Sequence, residues 1–172
     1  MVNNIAQRKR GQVISWEYIT DTQGSFGHFS NLGKAVKAPI DPATISGAPN
    51  GSFNFVCVGY TPKGQVKLVA DRNIQTNISW ETLNAAGFCV TNPTAVNIDD
   101  NSKNFSIRLL NSGELANNEF DTVIGNLSLG GLITPADTIF WNTDIPSWTL
   151  NTPCVADSAG NVPDPSKRVL RG

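Results

Sequence analysis

Charge is what this sequence has least of. Asp, Glu, Lys and Arg make up 16% of its 172 residues and the formal net charge is −1, well below the roughly one-quarter share of charged residues in ordinary globular chains. A chain so nearly neutral has no general attraction for nucleic acid or an anionic membrane surface. Histidine is scarcer still: the single His28 sits between Gly27 and Phe29, with no catalytic company in the sequence. Cysteine is limited to Cys57, Cys89 and Cys154. That odd number without a C-x-x-C spacing excludes a fully paired disulfide framework and gives no metal or redox motif. Three small buried apolar side chains are the expectation. No apolar run approaches the roughly 20 residues of a membrane helix, and "MVNNIAQRKRGQV" has early charges with no apolar stretch after them. No internal repeat is visible. The expectation is synthesis in a reducing cytoplasm, with the product kept there or assembled there into something larger.

Asn, Thr, Ser and Gly fill the space that Lys and Glu normally take, while hydrophobic residues hold at 40%. Such a surface makes many neutral hydrogen bonds, as β-rich extracellular and particle-forming proteins do. The length suits one domain, or one domain with an appendage, and lets roughly 70% of the unfolded surface be buried without staples.

Residues 1–12 are polar, with a basic cluster at Arg8, Lys9 and Arg10 that is too short for a nucleic-acid arm. "QVISWEYIT" alternates as a strand, Ile14, Trp16 and Tyr18 facing opposite Val13, Ser15, Glu17 and Ile19. From Asp21 to Gly51 the chain is rich in Gly and Pro with little periodicity. A loop that long is uncommon inside a domain, so residues 1–50 are expected to be an extended docking segment and residues 51–172 the compact domain. "SFNFVCVGY", "TPKG" and "QVKLVADR" spell a β-hairpin over 52–71. Pro62 and Gly64 occupy the second and fourth places of a type I turn, and Val66, Leu68 and Ala70 share one face.

"NISWETLNAAGF" predicts a helix over about 79–88, capped by Ser79, with Glu81 in its first turn, Gly87 as its stop, and Trp80, Leu83 and Ala86 on one apolar face. "NFSIRLL" alternates Phe105, Ile107 and Leu109 inward as a strand, and "NNEFDTVIGNL" spaces Phe120, Val123, Ile124 and Leu127 as a helix over about 118–125. Short strands are expected at "DTIFW" and "PSWTL". The fold class is α+β and β-rich.

Catalytic signatures are thin. Asp99–Asp100 sit in a polar turn-like run, and Glu114, Glu119 and Asp121 have no histidine or lysine at readable spacing. There is no nucleophile elbow, phosphate loop or calcium loop. Asp71 and Arg72 at a strand end read as a structural ion pair. Trp141 and Trp148 flank the polar loop "NTDIPS". With Asn142 and Asp144 they form a candidate sugar- or peptide-binding surface, since tryptophan offers broad apolar area with a hydrogen-bonding edge. Both indoles packing beneath the loop as core is the other reading. No catalytic residue, metal ligand or cofactor is assigned.

Three segments, in order, resemble the formylglycine-generating enzyme (sulfatase-modifying factor) family. "NISWETLNAAGF" is similar to its S-W-x-x-A helix, "SIRLLNSGELANNEFDTVI" to its R-L-P-T-x-x-E-W-E-Y-A signature, and "KRVLRG" to its R-V-x-R-G-G-S-W string. Arg108 and Leu109 fall at the Arg-Leu of that signature, and Glu119 and Phe120 at the Glu-Trp. The resemblance covers about Asn77 to Gly172 and implies a C-type-lectin-like fold, shared with the variable proteins of diversity-generating retroelements. The departures matter: Leu110-Asn111 replaces Pro-Thr, Phe120 replaces the Trp, and the cysteines do not match the copper-binding pair. The resemblance therefore implies fold kinship without the oxidase. Over most of its length the sequence also resembles uncharacterised bacteriophage and prophage virion proteins. That implies a non-enzymatic tail or surface-appendage component of the virion. Its partners would be copies of itself and neighbouring virion proteins, without nucleic acid or membrane insertion. A host receptor- or glycan-binding adhesin is the alternative. In relatives of this pattern "SKRVLRG" opens a late strand. Here either Val169 and Leu170 form a last short strand, or a neighbouring chain completes the domain with Arg168 and Arg171 as anchors.

Overall fold

The computed structural model describes residues 9–41, 44, 46–89, 95–97, 104–111, 119, 147–148 and 170–171. Its centre is an antiparallel sheet in the order β2 (His28–Ser30), β1 (Val13–Ile19), β3 (Asn50–Tyr60), β4 (Val66–Ala70). Strand β1, Val13–Ile19, pairs along its whole length with β3, Asn50–Tyr60, from Val13 opposite Val56 to Ile19 opposite Asn50. The alternation read in "VISWEYI" is real: Ile14, Trp16 and Tyr18 enter one core with Phe53 and Phe55 of β3. Aromatic rings fill that core. Trp16 lies with its ring centroid 4.7 Å from Phe29, 5.4 Å from Phe55 and 5.0 Å from Phe105, tilted or edge-on as ring quadrupoles prefer.

The long Gly- and Pro-rich stretch is less loop-like than its composition predicts. Strand β2, His28–Ser30, pairs with β1, Phe29 standing opposite Tyr18. Pro39 bridges Ser52 in parallel, with Ile40 N–H donating to the Ser52 carbonyl at 2.9 Å and Ser52 N–H to the Ala38 carbonyl at 3.0 Å. Both pieces are too short to show a period, and one buried side chain, Phe29, suffices to seat β2. The expected boundary at residue 50 therefore falls at the head of β3. β1 and β2 before it share a sheet and a core with the strands after it.

β4, Val66–Ala70, completes the expected hairpin, with Val66, Leu68 and Ala70 packed against the core. Gly64 N–H donates to the Thr61 carbonyl at 2.9 Å, closing the turn. Gly64 has φ +77°, a left-handed conformation that glycine adopts without steric cost. The register shifts between Cys57 and Gly59, so the alternation beyond Cys57 is not the one the sequence suggests.

Helix α1, Trp80–Ala85, is shorter than the expected 79–88. Ser79 Oγ accepts from Thr82 N–H at 3.0 Å as the cap. At the other end Gly87 takes φ +82°, Gly87 N–H bonds Asn84 O at 2.9 Å, and Phe88 N–H reaches Leu83 O at 3.0 Å. This is a Schellman termination with its usual apolar contact, Phe88 and Leu83 sharing the second core with Ile78, Trp80 and Cys89. Ala86 is exposed, contrary to the predicted face. The chain turns at Gly87 and Phe88 takes the place on the core that a longer helix would have given Ala86.

Strands β5, Ala95–Asn97, and β6, Asn104–Ser106, form a separate antiparallel pair. The predicted strand over 104–110 stops pairing at Ser106, yet its alternation continues: Phe105 packs on the first core, Leu109 on the second, and Ile107 on both. The last pair joins β7, Ser147–Trp148, to β8, Leu170–Arg171, with Trp148 opposite Leu170. Each of these two strands overlaps one expected from the sequence. The expected helix over 118–125, apart from Glu119, and the expected strand at 137–141 lie outside the described residues.

Candidate functional site

The β7–β8 pair holds what is described of the candidate tryptophan surface. Trp148 occupies a defined register position opposite Leu170, with Ser147 opposite Arg171. Trp141, Asn142 and Asp144 lie outside the described residues, as do Asp99, Asp100, Glu114 and Cys154. His28 is on β2 with Nδ1 3.9 Å from Asp21 Oδ2; 57% and 80% of the two side chains are exposed. Cys57 and Cys89 are buried thiols outside any disulfide, as expected for apolar fillers. Among the described residues no group of three or more His, Cys, Asp or Glu could hold a metal ion, and no helix is long and apolar enough to cross a membrane.

The organised polar chemistry lies elsewhere, in three carboxylates, two buried and one partly buried. The first is Glu17, in the middle of β1 and on the face opposite Trp16. Only 2% of it is exposed. Its Oε1 accepts from the backbone N–H of Val36 at 2.7 Å and of Lys37 at 3.1 Å, and its Oε2 from Asn31 Nδ2 at 2.9 Å. The Val36 N–H and then the Asn31 amide hold its pKa below the usual carboxylate value, against the opposing effect of burial. One side chain thus pins the whole segment after β2 to the sheet.

The second is Asp71. Arg72 grips it with Nε at 2.7 Å from Oδ1 and Nη2 at 2.8 Å from Oδ2, both residues buried. Arg72 Nη1 also donates to the Ile40 carbonyl. The expected structural ion pair is present, and it ties the end of β4 to the Pro39–Ile40 segment. The third is Glu119. Arg108 forks onto it with Nη1 at 2.5 Å from Oε2 and Nη2 at 2.7 Å from Oε1, Lys67 Nζ of β4 donates to Oε1 at 2.9 Å, and Asn111 N–H donates to Oε2 at 3.2 Å. Burial alone raises this carboxyl's pKa, but the Arg108, Lys67 and Asn111 bonds outweigh it and bring the value down to about 2.

A fourth polar hub needs no charge. Tyr18 OH, fully buried, donates to Gln75 Oε1 at 2.8 Å and accepts from Gly27 N–H at 2.7 Å. Gln75 Nε2 in turn reaches the carbonyls of Ser25 and Gly47, both at 2.9 Å. Desolvation raises the Tyr18 phenol above its ordinary pKa.

Sequence reasoning missed Glu17 and Gln75 as organising residues. The available signal for Glu17 was a carboxylate inside the otherwise apolar "ISWEYI", a costly place for a charge unless donors converge on it. Arg108 and Glu119, matched to the signature pattern from their sequence positions, do meet in space as a bidentate pair. All four hubs bind the chain's own loops and strands, which makes them devices for fixing loop shape. No protein-family model, curated protein sequence or solved structure matches the chain.

Proposed function

We propose that the chain is a non-enzymatic structural protein of a bacteriophage virion, associated with the tail or a surface appendage and assembling as a homo-oligomer with its neighbours. The observation that carries this reading is the use of the three carboxylates. Glu17, Asp71 and Glu119 each hold chain segments in place through the protein's own donors. Loops fixed in this way keep one shape and lose little entropy when a neighbour packs on them. The nearly uncharged surface and the resemblance to virion proteins point the same way. On this reading residues 77–172 are a C-type-lectin-like region in which Arg108 and Glu119, at positions matching the enzyme signature, form an ion pair without the enzyme's chemistry.

Light scattering behind size-exclusion chromatography, with co-sedimentation of the protein and assembled particles, tests the assembly. A stable oligomer that sediments with particles supports it. A monomer that stays in the supernatant refutes it.

An adhesin role is the second reading, favoured by one specific observation: Trp148 is held in a strand pair with Leu170 rather than in an unpaired loop. Recognition of a host glycan or surface protein through Trp141, Asn142, Asp144 and Trp148 then predicts that Trp148→Ala weakens adsorption to host cells while the circular dichroism of the sheet is kept. Unfolding by the same variant assigns that tryptophan to core.

A further inference from the structure

Lys37 Nζ donates to Asn50 Oδ1 at 2.8 Å in a solvent-exposed contact, and the backbone of both residues is held in place. The Lys37 N–H is bound to Glu17 Oε1 at 3.1 Å, and its carbonyl accepts from Ser52 Oγ at 3.0 Å. Asn50 opens β3 directly opposite Ile19 of β1. Antiparallel partners share a face and faces alternate along a strand, so Asn50, Ile19 and Glu17 lie on one side of the sheet. The lysine is tethered to that same side by its backbone. A nitrogen hydrogen-bonded to an amide oxygen is one carbonyl bond away from the carbon it can attack.

We propose that Lys37 and Asn50 join in an intramolecular isopeptide bond with release of ammonia. The amine, after losing one proton to water, adds through Nζ to Cγ of Asn50. The Cγ–Nδ2 bond breaks, and Nδ2 leaves as ammonia, carrying the second Nζ proton. Ammonia then takes up a proton from water, so the exchange of one amide for another needs no oxidant or co-reactant. Holding both groups in contact supplies the proximity that favours intramolecular reaction. Glu17 is a positioning residue, fixing the Lys37 backbone through Oε1. The bond closes the chain from residue 37 to residue 50 into a covalent ring, which locks the segment that Glu17 otherwise pins only by hydrogen bonds. The inference stands apart from the virion reading.

The test is the intact mass of the purified full chain, followed by peptide mapping. The expected result is a mass lower by one ammonia, with a branched peptide joining the fragments that contain Lys37 and Asn50. Lys37→Arg keeps the cation and its hydrogen bond and is expected to restore the full mass, as is Asn50→Ala. Asn50 precedes Gly51, and attack by the Gly51 nitrogen to form a succinimide also expels ammonia. A mass loss that persists in Lys37→Arg therefore assigns the change to the succinimide and overturns the proposal. An unchanged mass in folded wild-type protein after prolonged incubation overturns it too.

Discussion

Glu17 and Glu119 each hold a region of the chain in place, and they do it with opposite kinds of donor. The region around Glu17 is closed by neutral groups, two consecutive backbone N–H groups and an Asn amide. The region around Glu119 is closed mainly by cations, Arg108 and Lys67, with one backbone N–H from Asn111. The difference follows from what each carboxylate has to join. Glu17 gathers a loop that leaves β2 and returns to the same sheet, so backbone donors are already close and correctly aimed. Glu119 joins β4 to the stretch after β6, segments from separate ladders: Lys67 reaches it from β4, and Arg108 forks onto it from the stretch after β6. Short neutral contacts give directionality, while a forked guanidinium gives reach and strength.

The comparison is broken most violently from below, by removing the core that both regions rest on. Trp16 is 4% exposed and touches Phe29, Phe55 and Phe105, the last of which belongs to the Glu119 side of the molecule. Trp16→Ala is expected to cost about 3–5 kcal/mol, measured as a shift of the urea midpoint. Both regions are then expected to unfold together. If amide exchange quickens near Phe105 while the β1–β3 ladder stays protected, the regions are independent folding units.

Acid is the next largest perturbation, and it acts on both carboxylates in the same direction. Each has a folded pKa below its unfolded value of 4.5. Each therefore contributes stability that is present above that value and lost as pH falls through its folded pKa. For Glu119 the drop from 4.5 to about 2 corresponds to about 3 kcal/mol. A pH series of urea melts is expected to lose stability from about pH 5 downward. Glu119→Ala is expected to cost about 2–3 kcal/mol at neutral pH, because Arg108 is left partly buried without its anion, and to flatten the acid dependence. An acid limb unchanged in that variant transfers the whole effect to Glu17 and the other carboxylates.

How much of this was legible in the sequence depends on length scale. The faces of β1, the β3–β4 hairpin and its turn, the Ser79 cap and the Gly87 stop all follow from residues close in sequence. Local chemistry decides them, so they could be read directly. Three residues of β2 and a single bridge at Pro39 show no period, and so the sheet's extension into the Gly- and Pro-rich stretch was hidden. Glu17 depends on Asn31, Val36 and Lys37, and Glu119 on Lys67. Two of those donors are backbone N–H groups, which every residue but proline possesses and no sequence marks. Ala86 was misplaced because helical spacing says which positions share a face but not where the helix ends. Of the candidate tryptophan surface, only the pairing of Trp148 is described.

The finest distinction between the two carboxylates is their response to salt. Lys67 approaches Glu119 from the outside, with 38% of its side chain exposed, while Arg108 is 27% exposed and Glu119 only 15%. Ions reach the lysine arm readily, and at about 1 M salt the screening length falls to about 3 Å. Lys67→Met is therefore expected to cost less than about 1 kcal/mol at low salt and close to nothing at about 1 M salt, read as converging urea midpoints for the two proteins. Glu17, whose hydrogen-bond donors are neutral and on which the charge of Lys37 is the smallest influence, is expected to hold residues 31–37 nearly as well at both salt levels, with little change in amide protection at Val36 and Lys37. A gap between wild type and Lys67→Met that persists at high salt means that the lysine stem acts by packing on the hairpin, not through its charge. In that case charge does not link Glu119 to β4, and Arg108 and Asn111 tie it to the stretch after β6.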